Sequence, residues 1–373
     1  MNLVFTCGGT GGHIYPAIAV AKMFRRRMPD CEILFIGADG MEQKIVPAEG
    51  FRLETVKVSS FERKLTPAAF AHNIKTFFTL RRSLHKAGRL LRDFHADVVL
   101  GTGGYASFPA LRAASLQNIP CAVHESNVVP GLATRLVADH VNRIFVSFES
   151  CRQAYKNPDK VVVTGTPVRE EFLYLDRATA RKKLGLNERP LIVSYWGSLG
   201  AREMNKKIAR FMRHIADDDA FQHIHATGAY GWRWMPEYVK TEGVDLDAHP
   251  NIRMREYIYD MPTVMAAADL IICRAGAATI SELLVAGTPA VMVPSPNVTN
   301  HHQEKNARAL EKEGAAVVLL ENECDGDLLF HTAKDILSDP GRLQSMRKAM
   351  AKLAVVDSAE RICQAVRELA ESR

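Results

Sequence analysis

Short apolar runs recur along the chain, separated by longer stretches in which apolar residues return at helical spacing. The runs at 3–5, 32–36, 98–100, 121–124 and 143–146 read as strands, and their alternation with helical stretches predicts a parallel sheet covered on both faces. A second series at 161–163, 191–195, 223–227, 252–254, 270–273, 290–293 and 316–319 predicts a second sheet of the same kind. Glycine and proline interrupt the pattern at Thr164-Gly165-Thr166-Pro167, the expected hinge. With 373 residues the chain is longer than one hydrophobic core sustains. The expectation is therefore two doubly wound α/β domains, 1–163 and 164–341, with an amphipathic helix over about 342–373 packing back on the first.

Open parallel sheets bind ligands beyond the carboxyl ends of their strands. The most polar and glycine-rich turns fall at those ends, at 7–13, 101–107, 124–131, 164–169, 196–202, 274–282 and 294–306, so a cleft between two facing domains is the expected site. Two of these turns share a design: Cys-Gly-Gly-Thr-Gly-Gly-His-Ile-Tyr-Pro ending at Pro16, and Gly-Thr-Gly-Gly-Tyr-Ala-Ser-Phe-Pro ending at Pro109. In each, the proline is read as the first helical residue, where its missing donor costs nothing. Bare backbone at Gly11, Gly12, Gly103 and Gly104, with free N–H groups at the helix start, fits a phosphate or diphosphate. After Thr-Gly-Gly the first turn has His13, a titratable group, and the second has Tyr105. One cradle is thus equipped for chemistry and the other for holding.

The net charge of +6 suits an anionic partner without choosing among nucleotide, lipid headgroup and nucleic acid. Seven cysteines without a CxxC pair point to reduced thiols; Cys7 and Cys273, beside glycine-rich turns, read as small buried residues. No apolar stretch approaches the roughly 18 residues of a spanning helix, and no basic segment precedes the first strand, so neither export nor membrane spanning is expected. His223 and His225 share one side of a strand without an evident third ligand, and adjacent His301 and His302 diverge; the structural reading is preferred for both pairs.

Taken in order, the motifs are Gly-Gly-Thr-Gly-Gly-His (8–13), Gly-Thr-Gly-Gly-Tyr-Ala-Ser-Phe-Pro (101–109), His-Glu-Ser-Asn with Pro-Gly (124–131) and Thr-Gly-Thr-Pro-Val-Arg (164–169). Gly-Ser-Leu-Gly-Ala (197–201), Arg-Ala-Gly-Ala-Ala-Thr-Ile-Ser-Glu-Leu (274–283), Val-Pro-Ser-Pro (293–296) and His-Gln-Glu-Lys-Asn-Ala (302–307) follow. This ordered set resembles the MurG family, N-acetylglucosaminyltransferases of peptidoglycan synthesis in glycosyltransferase family 28. The resemblance implies a GT-B architecture of two Rossmann-like domains facing a cleft. It also implies inverting transfer of N-acetylglucosamine from UDP-N-acetylglucosamine to the 4-hydroxyl of the muramyl sugar of lipid I, giving lipid II. By motif match it places Arg169, Ser198, Ile258, Ala277, Ala278, Thr279, Ile280, Ser281, Glu282 and Gln303 around UDP, with Thr10, Gly11, Gly12 and Asn127 approaching the sugar from the other domain. It implies a peripheral enzyme at the cytoplasmic face of the inner membrane, with no nucleic acid as partner and other wall-building enzymes as candidate partners.

The residue types carry roles of their own. Glu282 can accept two ribose hydroxyls. Ser198 and the amides of Gly200 and Ala201 can bind diphosphate oxygens at a helix start, and Arg169 can add a fixed positive charge beside uracil or phosphate. No Asp-x-Asp element stands at a strand end, so a reaction without metal or cofactor is expected, with amides and helix dipole supporting the leaving UDP. Inversion needs a base on the acceptor hydroxyl. His13 is the first candidate and Glu125 the second, or Glu125 orients the His13 imidazole. His124 reads as a structural hydrogen-bonding group. The second turn, Gly103, Gly104 and Tyr105, is left for the acceptor's diphosphate. The chain departs from the family's wording at Trp196, where a glycine is usual, and at Ser126 and Thr166, where amide residues are common. Trp196 is expected either to fill part of the phosphate approach or to point outward.

Residues 61–92 interleave Phe70, Ile74, Phe77, Phe78, Leu84 and Leu91 with Arg63, Lys64, Lys75, Arg81, Arg82, Lys86, Arg89 and Arg92. Such a stretch fits an anionic membrane surface, or equally a crossover helix with a solvated basic face; the resemblance favours the membrane. Other readings of the whole chain are a UDP-N-acetylglucosamine 2-epimerase, a glycolipid synthase with a diacylglycerol acceptor, and a nucleotide-binding subunit without catalysis.

Overall fold

The computed structural model describes residues 1–58, 66–298 and 301–372, with backbone only at 67, 69 and 71. Arg63 and Lys64 lie outside the described residues. Internal contacts divide the chain into two units, one of residues 1–169 and 355–373 and the other of residues 170–354.

The first unit runs β1 (Asn2–Thr6), α1 (Gly11–Arg27), β2 (Glu32–Gly37), α2 (Glu42–Ala48), β3 (Arg52–Thr55), α3 (Pro67–Asp93), β4 (Val98–Gly101), α4 (Ser107–Leu116), β5 (Cys121–Glu125), α5 (Leu132–Val137), β6 (Arg143–Val146) and β7 (Val161–Val163). All pair in parallel in the order β3-β2-β1-β4-β5-β6-β7. Between β1 and β4 the strand order changes direction, which opens a crevice at their carboxyl ends. The two glycine turns leave the sheet there. Residues 161–163, expected to open the second sheet, instead close the first, with Val161 opposite Ile144 and Val163 opposite Val146. Strand β3 has no apolar run to announce it. Arg52-Leu53-Glu54-Thr55 alternates on a sheet edge, where one covered face is enough.

The second unit runs α6 (Glu171–Tyr174), α7 (Arg177–Lys183), β8 (Leu191–Tyr195), α8 (Arg202–Asp218), β9 (Gln222–Ala226), α9 (Met235–Thr241), β10 (Ile252–Arg255), α10 (Met261–Ala267), β11 (Leu270–Cys273), α11 (Ala277–Ala286), β12 (Ala290–Met292), α12 (His302–Lys312), β13 (Ala316–Val318), α13 (Gly326–Leu337) and α14 (Pro340–Leu353). Its sheet is parallel in the order β10-β9-β8-β11-β12-β13, with the corresponding crevice between β8 and β11. The turns at 196–202 and 274–282 leave from that point.

Residues 342–373 form two helices instead of one. Helix α14 stays with the second unit: Met346 joins its core, and Arg347 meets the Asp269 carboxylate at 3.1 Å beside Arg177 and Arg181. Helix α15 (Ser358–Glu371) belongs to the first unit. Its Ile362, Val366 and Leu369 enter the core cluster of Leu3, Phe5 and Phe24, and Glu360 pairs with Arg27 of α1.

Candidate functional site

Both glycine turns begin their helices earlier than the prolines suggest. Helix α1 starts at Gly11 and holds Pro16 inside it, and α4 starts at Ser107, ahead of Pro109. The first turn of an α-helix needs no internal donors, so glycine, histidine or serine can open it as well as proline.

The glycines are explained largely by what the turns touch. Gly103 and Gly104 have φ of +104° and +80°, the left-handed region. A Cβ on Gly104 would stand 2.3 Å from the Gly8 carbonyl oxygen, and one on Gly103 would stand 2.6 Å from the His13 ring. The turns are therefore two halves of one interlocked support. Below the first turn lies Glu42, fully buried at the start of α2. Its Oε1 accepts from the Ala38 amide at 2.8 Å and its Oε2 from the Gly9 amide at 3.2 Å. A Cβ at Gly8 or Gly40 would collide with this carboxylate at 2.3 or 2.6 Å. So the Gly9 amide, two residues ahead of the glycines read as the anion cradle, is satisfied by an internal carboxylate.

This support fixes His13. Its Nδ1 lies 3.1 Å from the Thr102 carbonyl oxygen, and the Thr102 hydroxyl donates to the His13 carbonyl at 2.6 Å. A carbonyl only accepts, so Nδ1 carries a proton, and of the two neutral tautomers this contact selects the one with its lone pair on Nε2. Thr102 is itself held by its amide, which donates to the Thr6 carbonyl at 3.0 Å. Thr102 and Glu42 are the residues that sequence reasoning passed over: the first was visible inside the second motif, the second carried no signal.

Glu125 is placed differently from expectation. Its carboxylate is 4% exposed and accepts four hydrogen bonds, from the Asn127 amide (3.0 Å), Asn127 Nδ2 (2.9 Å), the Gly131 amide (2.9 Å) and the Thr134 hydroxyl (2.6 Å). It shapes the 126–134 loop, and the partner of His13 Nδ1 is the Thr102 carbonyl rather than this carboxylate. His124 is fully buried; its Nε2 donates to the Gly165 carbonyl at 2.9 Å, and burial lowers its pKa to about 4. The departures at Ser126 and Thr166 are joined through Ser147, whose hydroxyl donates to the Ser126 carbonyl at 3.0 Å and accepts from Thr166 at 2.5 Å.

A cavity of about 620 Å³ opens at this crevice, and its wall includes Thr10, His13, Gly104 and Tyr105. Tyr105 is half exposed. The Arg169 guanidinium lies over the Tyr15 ring at 5.4 Å, so Arg169 stands beside helix α1.

In the second unit Ser198 is exposed in the turn after β8. The Gly200 amide, expected to face diphosphate, instead donates to the Gly197 carbonyl at 3.2 Å, closing the turn. Trp196 takes neither expected course. It is buried in the unit's core, with the Arg274 guanidinium 5.5 Å from its ring, and Arg274 in turn binds the Val293 carbonyl (3.0 Å) and Glu321 (2.6 Å). Ala277, Ala278 and Thr279 open α11 and are partly exposed, as is Glu282 one turn on. Ile258, Ile280 and Ser281 are buried, and the Ser281 hydroxyl donates to the Ala277 carbonyl at 3.0 Å. Gln303 accepts the Ser295 amide at 2.9 Å. His223 and His225 both meet the Ser194 hydroxyl, at 2.8 and 2.7 Å, within the buried sheet.

Residues 3–146 match the glycosyltransferase family 28 N-terminal domain, and residues 192–362 match the family's C-terminal domain. Two relatives are named UDP-N-acetylglucosamine–N-acetylmuramyl-(pentapeptide) pyrophosphoryl-undecaprenol N-acetylglucosamine transferase. That of Acetivibrio thermocellus is 39% identical across all of this chain and 99% of its own length. That of a Thermoanaerobacter species is 41% identical across 99% of this chain and all of its own. The crystal structure of Acinetobacter baumannii MurG has the same fold, with a TM-score of 0.76 at 24% identity over 98% of this chain and 99% of that one. Matched along its whole length, in both domains and in order, this chain belongs to glycosyltransferase family 28.

Proposed function

We propose that this protein transfers N-acetylglucosamine from UDP-N-acetylglucosamine to the 4-hydroxyl of the muramyl sugar of lipid I, with inversion, forming lipid II. The observation that carries the reading is the His13 ring, held by the Thr102 carbonyl so that the lone pair sits on Nε2. As the acceptor oxygen bonds to the anomeric carbon, its proton passes to Nε2 and UDP departs with the electron pair of the broken bond. Thr10, Gly11, Gly12 and Asn127 attend the transferred sugar. Ser198 and the first turn of α11, through Ala277, Ala278 and Thr279, stabilise the leaving diphosphate with amide donors and helix dipole. Glu282 accepts from the ribose, Ile258 and Gln303 complete the donor pocket, and Arg169 supplies a fixed positive charge. Tyr105 and the second turn face the acceptor. The names of the full-length relatives support the same substrates.

The reaction calls for contact with a bilayer, since lipid I is held there. No helix among the described residues is long and apolar enough to cross a membrane. Helix α3 fits peripheral attachment: Phe70, Ile74, Phe77 and Phe78 are 70%, 45%, 51% and 57% exposed, beside exposed Lys75, Arg81 and Arg82. This reading places the protein on the cytoplasmic side of the cell membrane.

The test is His13→Ala. Turnover should fall by about 10²- to 10⁴-fold, while UDP-N-acetylglucosamine affinity measured by calorimetry stays within a factor of two or so. Near-normal turnover would remove His13 from the role.

A further inference from the structure

The cavity that holds His13 has a charge problem. Its wall carries two carboxylates, Glu42 and Asp39. Glu42 is bound by two backbone amides, and Asp39 accepts from Gln43 at 3.1 Å. The glycine turns contribute partial charges only, and one of their amides already serves Glu42. A diphosphate entering this space meets negative charge unless a cation stands in the wall. Among the described residues that line it, Lys57 is the single lysine or arginine.

Lys57 is built to serve. Its backbone is fixed from both sides: the preceding Val56 amide donates to the Gly37 carbonyl at 2.8 Å, and the Ser83 hydroxyl of α3 donates to the Lys57 carbonyl. Its side chain is exposed and enters no ion pair among the described residues. Helix α3 also supplies Thr79 to the same wall, and the residue before Thr79 is the exposed Phe78. One helix thus contributes to the cavity and carries the outward apolar face.

We infer that Lys57 binds the acceptor's diphosphate in the cavity that holds His13, selecting lipid-linked sugar diphosphates over sugars without that group. The inference rests on the acceptor proposed above. In such an acceptor the diphosphate hangs from the anomeric carbon, across the ring from the reacting 4-hydroxyl. Base and counter-charge must then stand a sugar's width apart in one cavity, and about 620 Å³ is within the size range of pockets that enclose such a group. The two glycine turns shape this space, and the lysine supplies the full charge that their amides lack.

Full-length protein with Lys57→Ala, with Lys57→Arg and without substitution is assayed with UDP-N-acetylglucosamine and a short-chain, water-soluble lipid I analogue. Lys57→Ala should raise the acceptor KM by about 10- to 100-fold, with donor KM and kcat changed less than about threefold. Lys57→Arg should restore most of the loss. Inorganic pyrophosphate should compete with the acceptor in the unaltered protein and lose that effect in Lys57→Ala. An unchanged acceptor KM in Lys57→Ala, or a rise shared equally by the donor, overturns the inference while leaving the proposed reaction intact. Absence of transfer by the unaltered protein overturns the proposed reaction and this inference together.

Discussion

Gly8, Gly9 and Gly40 close around the Glu42 carboxylate, and through Gly8 this packing reaches Gly104 and the second turn. A glutamine there can accept from one of the two amides but turns an N–H toward the other. Leaving one buried donor unmet costs about 1–3 kcal/mol, enough to lower Tm by several degrees in a domain of this size. Glu42→Gln is therefore expected to melt earlier by calorimetry and to lose kcat with little change in donor KM, because the disturbed turn carries His13. A variant with unaltered Tm and kcat would show that the carboxylate is dispensable. That His13, Tyr105 and the glycine turns come together at one cavity was legible in the sequence, because a chemical group stood inside a spaced motif at matching strand ends. Glu42 was not, because its role comes from burial, and neither was the commitment of Glu125 to four donors, which depends on a loop closing over it. Trp196 was misread in the same way: sequence marks an odd residue in a turn but not the core behind it.

At the scale of elements, helix α3 changes character along its length. Its last turns are ordinary, with Ala87 and Leu91 fully buried against the sheet. Earlier turns are inverted: Thr76 and Ser83 are buried while four large apolar side chains face outward. The crossover reading fits the last turns, and the exposed apolar side chains of the earlier turns are what the proposed membrane contact rests on. Reversing the charge of Arg81 and Arg82 changes the facing charge by four, at about 1 kcal/mol per charge near an anionic surface. Arg81→Glu with Arg82→Glu should weaken flotation with anionic vesicles by about two to three orders of magnitude. Full retention of binding would return α3 to a plain crossover role. The strands of both sheets were readable from apolar runs because buried parallel strands need them, while β3 at the edge and the owner of β7 were not. Ownership is set by pairing, which no local pattern records.

Over the whole molecule, three histidines are buried without charge. Burial lowers His124 to about 4, His225 to about 3 and His223 well below its ordinary 6.5. The unfolded chain takes up protons near 6.5 and the folded one does not, so the stability from these groups is complete above that pH and is lost as pH falls toward the folded values. With three such groups the loss approaches about 4 kcal/mol per pH unit between roughly pH 6 and 4. The second unit holds two of the three and should be the first to unfold in acid. Scanning calorimetry from pH 7.5 to 4.5 should show Tm falling steeply below about 6; a flat profile would mean that these rings can be charged in place.

Helix α15 closes the seam of Leu3, Phe5 and Phe24 although it lies beyond the second unit in the chain. Order of synthesis and order of completion are therefore opposed. On a ribosome adding about 5–20 residues per second, the first sheet waits on the order of ten to forty seconds for its last helix. During that interval a strip of its apolar surface is open to other chains, so the earliest part of the protein to be made is the last to be finished.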